Sequence, residues 1–156
     1  MDVALTKIRN IADYQFGKGI GNLLFPSQTE ITYSRNTGRI RYVYFNGERL
    51  ATLRPTDGFF SLSLVGAACI LKHEKKAHCL IKVRNDVSGA ILEGGDVFSA
   101  HITWVDDEIR PKQEVIVTDE DNQLLAVGHT VLSAEEMRVF KRGVAVKVRK
   151  GCERKG

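Results

Sequence analysis

The stretch Asp86-Val-Ser-Gly-Ala-Ile-Leu-Glu-Gly-Gly-Asp-Val-Phe98 carries the clearest local structural signals in this chain of 156 residues. Asp86 to Leu92 predicts a short helix, and Gly94-Gly95 is a typical stop for the C-terminal end of a helix. Val97 to Val105 predicts a strand that contains the single tryptophan of the chain. A short helix set among several short strands favours a compact, β-barrel-like domain in this half of the chain.

The rest of the second half fits the same domain. Short strands are predicted at 80–83, 114–118 and 124–132. Ser133-Ala-Glu-Glu136 matches a capping box, which predicts a short helix to about Phe140. Val144, Val146 and Val148 alternate with Ala145, Lys147 and Arg149, so Lys147 and Arg149 are expected on one face of a last strand.

The first half predicts an α+β domain with an antiparallel sheet. Helical spacing of apolar residues indicates helices at 3–13 and 64–71, and the hairpin signal Asn46-Gly47 lies among strands predicted within 29–62. Glycines 17, 19 and 21 are interpreted as a close-packed turn before a short helix, since they lack the features of a nucleotide-binding loop. The predicted class is α+β, with domains at 1–77 and 78–151 and a basic tail at 152–156.

Composition and charge exclude some classes of protein and favour others. The chain is 43% hydrophobic and 27% charged, as in ordinary globular proteins. It contains neither an apolar run of the ~20 residues that span a membrane nor a signal-peptide pattern, so we expect a cytoplasmic protein that does not bind membranes. Net charge is +4, yet residues 138–156 hold eight basic residues and one acidic residue. This asymmetry fits either a phosphate-binding face or a solvated surface with uneven charge.

Metal and catalytic chemistry find little support in the sequence. Cys69, His73, His78 and Cys79 form the only possible metal-binding cluster in the sequence, and they lack the paired spacing of zinc sites. The sequence contains no GxSxG, HExxH or Walker A motif. Asp13, Asp57 and Asp96 each suit a structural role at a helix end, a turn and a loop. We therefore predict no metal, no cofactor and no catalytic residue, and thus a protein that is not an enzyme.

Four motifs in the second half resemble the successive signatures of the PUA family: Leu92-Glu-Gly-Gly-Asp-Val-Phe98, Ile109-Arg-Pro-Lys-Gln-Glu-Val115, Leu124-Leu-Ala-Val-Gly128 and Arg142-Gly-Val-Ala-Val146. They occur in family order and cover nearly all of residues 79–151. The family commonly has Gly-Asp where this chain has Lys112-Gln113. The resemblance implies a pseudo-β-barrel that binds structured RNA, often tRNA.

The first half resembles the segment that precedes the PUA domain in archaeal tRNA-guanine transglycosylase and its paralogue, archaeosine synthase. The resemblance is carried by Ala12-Asp-Tyr-Gln-Phe-Gly17, Gly38-Arg-Ile-Arg41 and Leu53-Arg-Pro-Thr-Asp-Gly-Phe-Phe60. A catalytic barrel of that enzyme type needs about 250 residues, more than this chain contains. The resemblance therefore implies a tRNA-docking part without the catalytic barrel.

These observations predict an RNA-binding surface whose expected partner is tRNA, gripped at the acceptor stem and 3′ end. Its expected residues are the helix-to-strand loop, the basic residues around the last strand and two arginines of the first domain: Gly94, Gly95, Asp96, Val97, Phe98, Arg138, Lys141, Arg142, Lys147, Arg149, Arg39 and Arg41. Phe98 is interpreted either as an RNA-stacking group or as part of the barrel core. One alternative is the non-catalytic subunit of a split transglycosylase or archaeosine synthase, with a catalytic tRNA-modifying chain as partner. The other is a barrel that binds a small ligand or a protein.

Overall fold

The computed structural model describes residues 2–153. The chain divides into two compact units, Met1–Ala77 and His78–Gly156. Both units mix helices with antiparallel strands, which confirms the predicted α+β class. Within residues 2–153, no helix has both the length and the apolar character needed to cross a membrane.

Among the described residues, the first unit contains three α-helices and one antiparallel sheet. Its helices are α1 (Val3–Phe16), α2 (Ile20–Leu24) and α3 (Leu64–Leu71). Its strands are β1 (Glu30–Tyr33), β2 (Ile40–Phe45), β3 (Glu48–Leu53) and β4 (Phe60–Leu62), paired in chain order. The β2–β3 turn has positive φ at Asn46 (50°) and Gly47 (80°), as a two-residue hairpin loop of this kind requires.

The glycine-rich stretch of the first unit is a packing device. A Cβ atom on Gly21 would lie 2.2 Å from the carbonyl oxygen of Arg9, so only glycine allows α2 to approach α1 this closely. The Gly21 amide donates to Asp13 Oδ1 at 2.6 Å. These contacts confirm the interpretation of this stretch as a close-packed turn before a short helix.

In its described part, to residue 153, the second unit contains a six-stranded sheet and two short α-helices. Its strands are β5 (Leu80–Val83), β6 (Val97–Phe98), β7 (Ile102–Val105), β8 (Glu114–Thr118), β9 (Leu124–Thr130) and β10 (Val144–Gly151). The helices are α4 (Ser88–Leu92) and α5 (Ala134–Val139). The strand order is β6-β10-β9-β8-β5-β7, and only β5 and β8 of the described strands run parallel.

The two edge strands of this sheet are consecutive in the sequence. β6 and β7 lie at opposite ends of the strand order but are separated only by the 3-10 turn Ser99–His101. The sheet therefore curls into a nearly closed barrel of the expected PUA type. The prediction of one continuous strand over 97–105 is wrong, because the chain must bend where it changes partner from β10 to β5.

The barrel interior is filled by buried apolar side chains. Both α-helices and all six strands contribute residues to it. Its fully buried members include Ile81, Val83, Val97, Val115, Val117, Ala145 and Val146. The capping box predicted at the start of α5 is present, with Ser133 and Glu136 bonded reciprocally. Of the predicted basic tail, Arg154, Lys155 and Gly156 lie outside the described residues.

Candidate nucleic-acid interface

The loop that follows α4 owes its shape to its two glycines. Gly94 has φ of 103°, and the amides of Gly94 and Gly95 donate to the carbonyls of Ile91 and Ala90, both at 2.9 Å. A Cβ atom on Gly95 would lie 2.9 Å from the Ala90 oxygen. With glycine at both positions, α4 can terminate and the chain can reverse its direction within one turn.

Asp96 fastens this loop to the last strand. Its Oδ1 accepts a hydrogen bond of 2.9 Å from the amide of Val148, and its Oδ2 lies 3.8 Å from Nζ of Lys147. β6 continues the attachment, since Phe98 pairs with Val144 and Val97 with Val146. The structure therefore brings together the two segments singled out in the sequence, the 94–98 loop and β10.

The side chains of β6 point to different environments. Val97 is fully buried and pairs with Val146 of β10, so it is not exposed to a ligand. Phe98 is 45% exposed and makes an edge-to-face contact with His101, with ring centroids 5.9 Å apart. This exposure excludes the interpretation of Phe98 as part of the barrel core and leaves an aromatic face beside the loop.

The basic residues of β10 differ from each other in their contacts. Lys147 is exposed, whereas the guanidinium group of Arg149 donates to both carboxylate oxygens of Glu114, at 2.8 and 2.5 Å. Glu114 has no exposed side-chain surface. A register shift between Val148 and Lys150 interrupts the predicted regular alternation of the strand.

The basic residues at the end of α5 lie around a second surface feature. Arg138 donates to the Val105 carbonyl at 3.0 Å and forms an ion pair with Asp107. Lys141 and Arg142 are exposed in the segment that leads into β10. Arg138 and Lys141 line a cleft of about 480 Å³ between the end of α5 and residues 99–105, with Trp104 and Phe140 among its walls.

This cleft, here named the tryptophan cleft, was not predicted from the sequence. Trp104 and Phe140 are each 46% exposed although both are large aromatic residues. In a sequence, a tryptophan in a short strand and a phenylalanine at the end of a helix both suggest ordinary core residues. The available signal was weak, because the exposure of Trp104 depends on the strand break at 99–101.

The two arginines proposed in the first unit have different surroundings. Arg39 is exposed and immediately precedes β2. Arg41 is half-buried, and its guanidinium carbon lies 5.5 Å from the centre of the Tyr42 ring. That contact is a cation–π interaction, which holds Arg41 against the sheet.

The candidate metal ligands and carboxylates that are described next take part in packing, ion pairs or turns. Cys79 is buried, and burial raises the pKa of its thiol, while His78 Nδ1 lies 3.1 Å from a carboxylate oxygen of Glu108. In residues 2–153 there is no group of three His, Cys, Asp or Glu side chains placed to hold a metal ion. Asp57 accepts from the Phe59 amide at 2.9 Å and pairs with Arg54, as expected of a turn residue.

Burial also affects one acidic residue of the second unit. Asp106 accepts a hydrogen bond of 2.8 Å from the Leu80 amide. Desolvation outweighs this bond and raises the pKa of the Asp106 carboxyl above its usual range. Asp106 therefore supports the start of β5 from a position largely shielded from solvent.

Known families account for both units. Residues 6–76 match the patch-forming domain C2 of tRNA-guanine transglycosylase, and residues 81–152 match the PUA domain. The chain is 40% identical over 147 residues to tRNA-guanine(15) transglycosylase of Methanothermobacter thermautotrophicus, covering 94% of this chain and 22% of that protein. It is 38% identical over 154 residues to the Pyrococcus furiosus protein of the same name, covering 97% of this chain and 26% of that protein.

Solved structures show the same fold. A hypothetical protein of Pyrococcus horikoshii OT3 superimposes with a TM-score of 0.77 and 21% identity, covering 97% of this chain and 91% of that chain. A conserved PUA domain protein of Thermoplasma acidophilum gives a TM-score of 0.67 and 20% identity, covering 95% and 87%. The chain thus spans about a quarter of the transglycosylases that it matches but nearly the full length of these two structures.

Proposed function

We propose that this chain, in which a C2 domain of the tRNA-guanine transglycosylase type precedes a PUA domain, docks tRNA for modification and has no catalysis of its own. The observation that carries the proposal is the match of both units, in order, to the C-terminal part of archaeal tRNA-guanine(15) transglycosylases. The site of action would be the cytoplasm, where tRNA is modified. The expected contacts are the acceptor stem and the 3′ end.

The surface formed by the 94–98 loop and β10 suits this role. Lys147 supplies a cation for a phosphate: its side chain is 58% exposed, and its contact with Asp96 is long, at 3.8 Å. Such a contact gives affinity without sequence preference. Phe98 presents an aromatic face on which a sugar or a base can pack. The glycines keep the loop free of side chains, and Asp96 contributes by holding the loop against β10.

Other basic residues extend the proposed binding surface. Arg142 and Lys141 precede β10 and are exposed to solvent, so they suit contacts with the phosphates of a bound stem. In the first unit, Arg39 and Arg41 would contact a neighbouring arm of the tRNA. Arg138 and Arg149 are held by carboxylates, and we assign them a weaker share of the phosphate attraction.

A second candidate function adds a protein partner. The units of this chain match the C2 and PUA domains that occur in tRNA-guanine(15) transglycosylases, and these domains would suit a docking subunit that acts with a separate catalytic tRNA-modifying chain. A barrel that holds a small ligand in its interior is less favoured, because buried side chains fill the barrel.

The test is binding of the purified chain to a tRNA transcript at several salt concentrations. With about four or five phosphate contacts, the slope of log K against log salt should be near −3 to −4. Lys147→Ala should weaken binding and reduce the slope by about one, while Lys7→Ala, which removes an exposed charge from α1, serves as the matched control. A slope near zero, or equal binding by Lys147→Ala and wild type, would refute this surface.

A further inference from the structure

We propose that the tryptophan cleft binds one unpaired nucleobase of a bound RNA strand, an inference that rests on the proposed RNA-binding function. Part of the cleft is formed by the segment that directly follows Phe98. In sequence, the cleft is therefore adjacent to the 94–98 loop. It is formed by residues 99–105 and the end of α5, and its volume of about 480 Å³ lies in the range of ligand-binding clefts.

Two exposed aromatic rings give the cleft its stacking character. Trp104 and Phe140 are each 46% exposed, and both line the cleft. Nζ of Lys82 lies 5.8 Å from the centre of the Trp104 ring, a cation–π contact that fixes the indole without burying it. Bases that are freed from a helix stack on such rings, whatever their identity.

One residue that lines the cleft carries a buried hydroxyl without a partner among the described residues. Ser99 is 5% exposed and lines the cleft, and its Oγ has no hydrogen-bond partner in the described chain. A buried polar atom without a partner is rare in folded proteins and calls for an explanation. Because a hydroxyl both donates and accepts, the edge of a nucleobase would satisfy it.

The charges around the cleft favour a base inside it and a phosphate outside. The guanidinium group of Arg138 is already held by the Val105 carbonyl and by Asp107, so it is not available as a strong phosphate ligand. Within residues 2–153, no carboxylate forms a salt bridge with the exposed Lys141 at the edge of the cleft. Lys141 would therefore contact the phosphate that flanks the bound base.

Trp104 provides a direct test, since it is the single tryptophan of the chain. The full chain is titrated with a single-stranded RNA hexamer and with a blunt RNA duplex, while tryptophan emission and RNA retention are measured separately. We expect the single strand to quench Trp104 and the duplex to leave its emission nearly unchanged, because paired bases cannot enter the cleft.

Two variants separate the cleft from the rest of the binding surface. Phe140→Ala should weaken binding of the single strand about tenfold through lost stacking, and Ser99→Ala should weaken it less while leaving the fold intact, since its Oγ makes no bond in the free protein. Neither variant should alter duplex binding. Val139→Ala is the matched control: it removes a residue that is 64% exposed and adjacent to Phe140 but is not a wall of the cleft.

The outcomes of the two measurements are distinct. RNA that binds without changing Trp104 emission, or that binds Phe140→Ala as tightly as wild type, would overturn the cleft proposal and leave the proposed function standing. Failure to bind either RNA at low salt would overturn both. Quenching by the single strand that Phe140→Ala shifts to about tenfold higher RNA concentration, and that Val139→Ala leaves unchanged, supports the cleft as the site.

Discussion

Arg149 combines a predicted place on an RNA-binding surface with a structural contact inside the second unit. Its guanidinium group meets the carboxylate of Glu114, which has no exposed side-chain surface. Glu114 is buried whereas Arg149 is 38% exposed, so removing the arginine takes a counterion away from a carboxylate in a medium of low polarity. A loss of RNA binding in an Arg149 variant would therefore mix a direct contact with a loss of stability.

We expect Arg149→Ala to lower the free energy of unfolding by about 1–3 kcal/mol, less than for a fully buried pair because Arg149 is 38% exposed. Lys147→Ala, on an exposed side chain, should change it by less than about 0.5 kcal/mol. Urea denaturation measures both. Adding Glu114→Gln to Arg149→Ala should recover part of the loss, because a neutral amide replaces the buried charge. Equal urea midpoints for Arg149→Ala and wild type would show that the pair does not stabilise the barrel.

Asp106 should make the stability of the second unit depend on pH. Burial raises the pKa of its carboxyl in the folded protein above the usual 3.8, so the unfolded chain ionises first as pH rises. The stability that Asp106 contributes is therefore present in full below pH 3.8 and is lost as pH rises through the folded pKa.

Asp106→Asn removes this titration and keeps an oxygen that can accept from the Leu80 amide. The free energy of unfolding of the variant, minus that of wild type, should increase as pH rises through this window and then level off. Urea denaturation at pH 3 to 7, about the range where carboxylates titrate, measures the difference. A difference that does not change with pH would contradict the assignment.

At the scale of elements, local signals predicted most helices and turns, and contacts distant in sequence explain the rest. The capping box at Ser133, the hairpin at Asn46-Gly47 and the glycine stop after α4 each act within a few residues. The break at 99–101 and the register shift near Arg149 depend on which strands pair. The residue pattern of a single strand does not indicate which other strands it pairs with.

The end of β10 packs so closely on the end of α4 that it requires glycine. A Cβ atom on Gly151 would lie 2.3 Å from the Leu92 oxygen and 2.7 Å from the Gly94 nitrogen, both of them backbone atoms that cannot rotate away. Gly151→Ala should therefore destabilise the second unit by at least about 1–3 kcal/mol, the usual cost of overpacking.

Thermal unfolding of Gly151→Ala against Gly89→Ala tests this contact. A Cβ atom on Gly89, in α4, would meet no atom within 4 Å beyond the neighbouring backbone of its own helix, so alanine there should be neutral or raise stability by up to about 1 kcal/mol. Because Gly151 also adjoins the 94–98 loop, its variant should weaken RNA binding as well. A melting temperature of Gly151→Ala equal to that of wild type would mean that β10 can shift away from α4.

For the whole molecule, family motifs predicted more than composition did. The four motifs of the second half and the three of the first half identified both domains, which the family matches confirm. The charge distribution indicated the basic residues but not the acidic residues that pair with them. Arg138 pairs with Asp107, 31 residues away in sequence, and Arg149 pairs with Glu114, 35 residues away. The tryptophan cleft was missed for the same reason, since its walls come from segments separated in sequence.

At this scale the decisive prediction concerns base exchange on tRNA. We expect no incorporation of labelled base by the 156-residue chain alone, because the candidate carboxylates Asp13, Asp57 and Asp96 lie in structural contacts and the sequence contains no recognised nucleophile-and-base motif. Added to a separate chain that carries a transglycosylase catalytic barrel, it should raise incorporation mainly at low tRNA concentration, since tethered contacts act through effective concentration. Lys147→Ala should reduce this gain and Lys7→Ala should not. Robust incorporation by the chain alone would overturn the non-enzyme proposal, while the absence of any gain with the catalytic chain would leave tRNA binding without a catalytic partner as the better account.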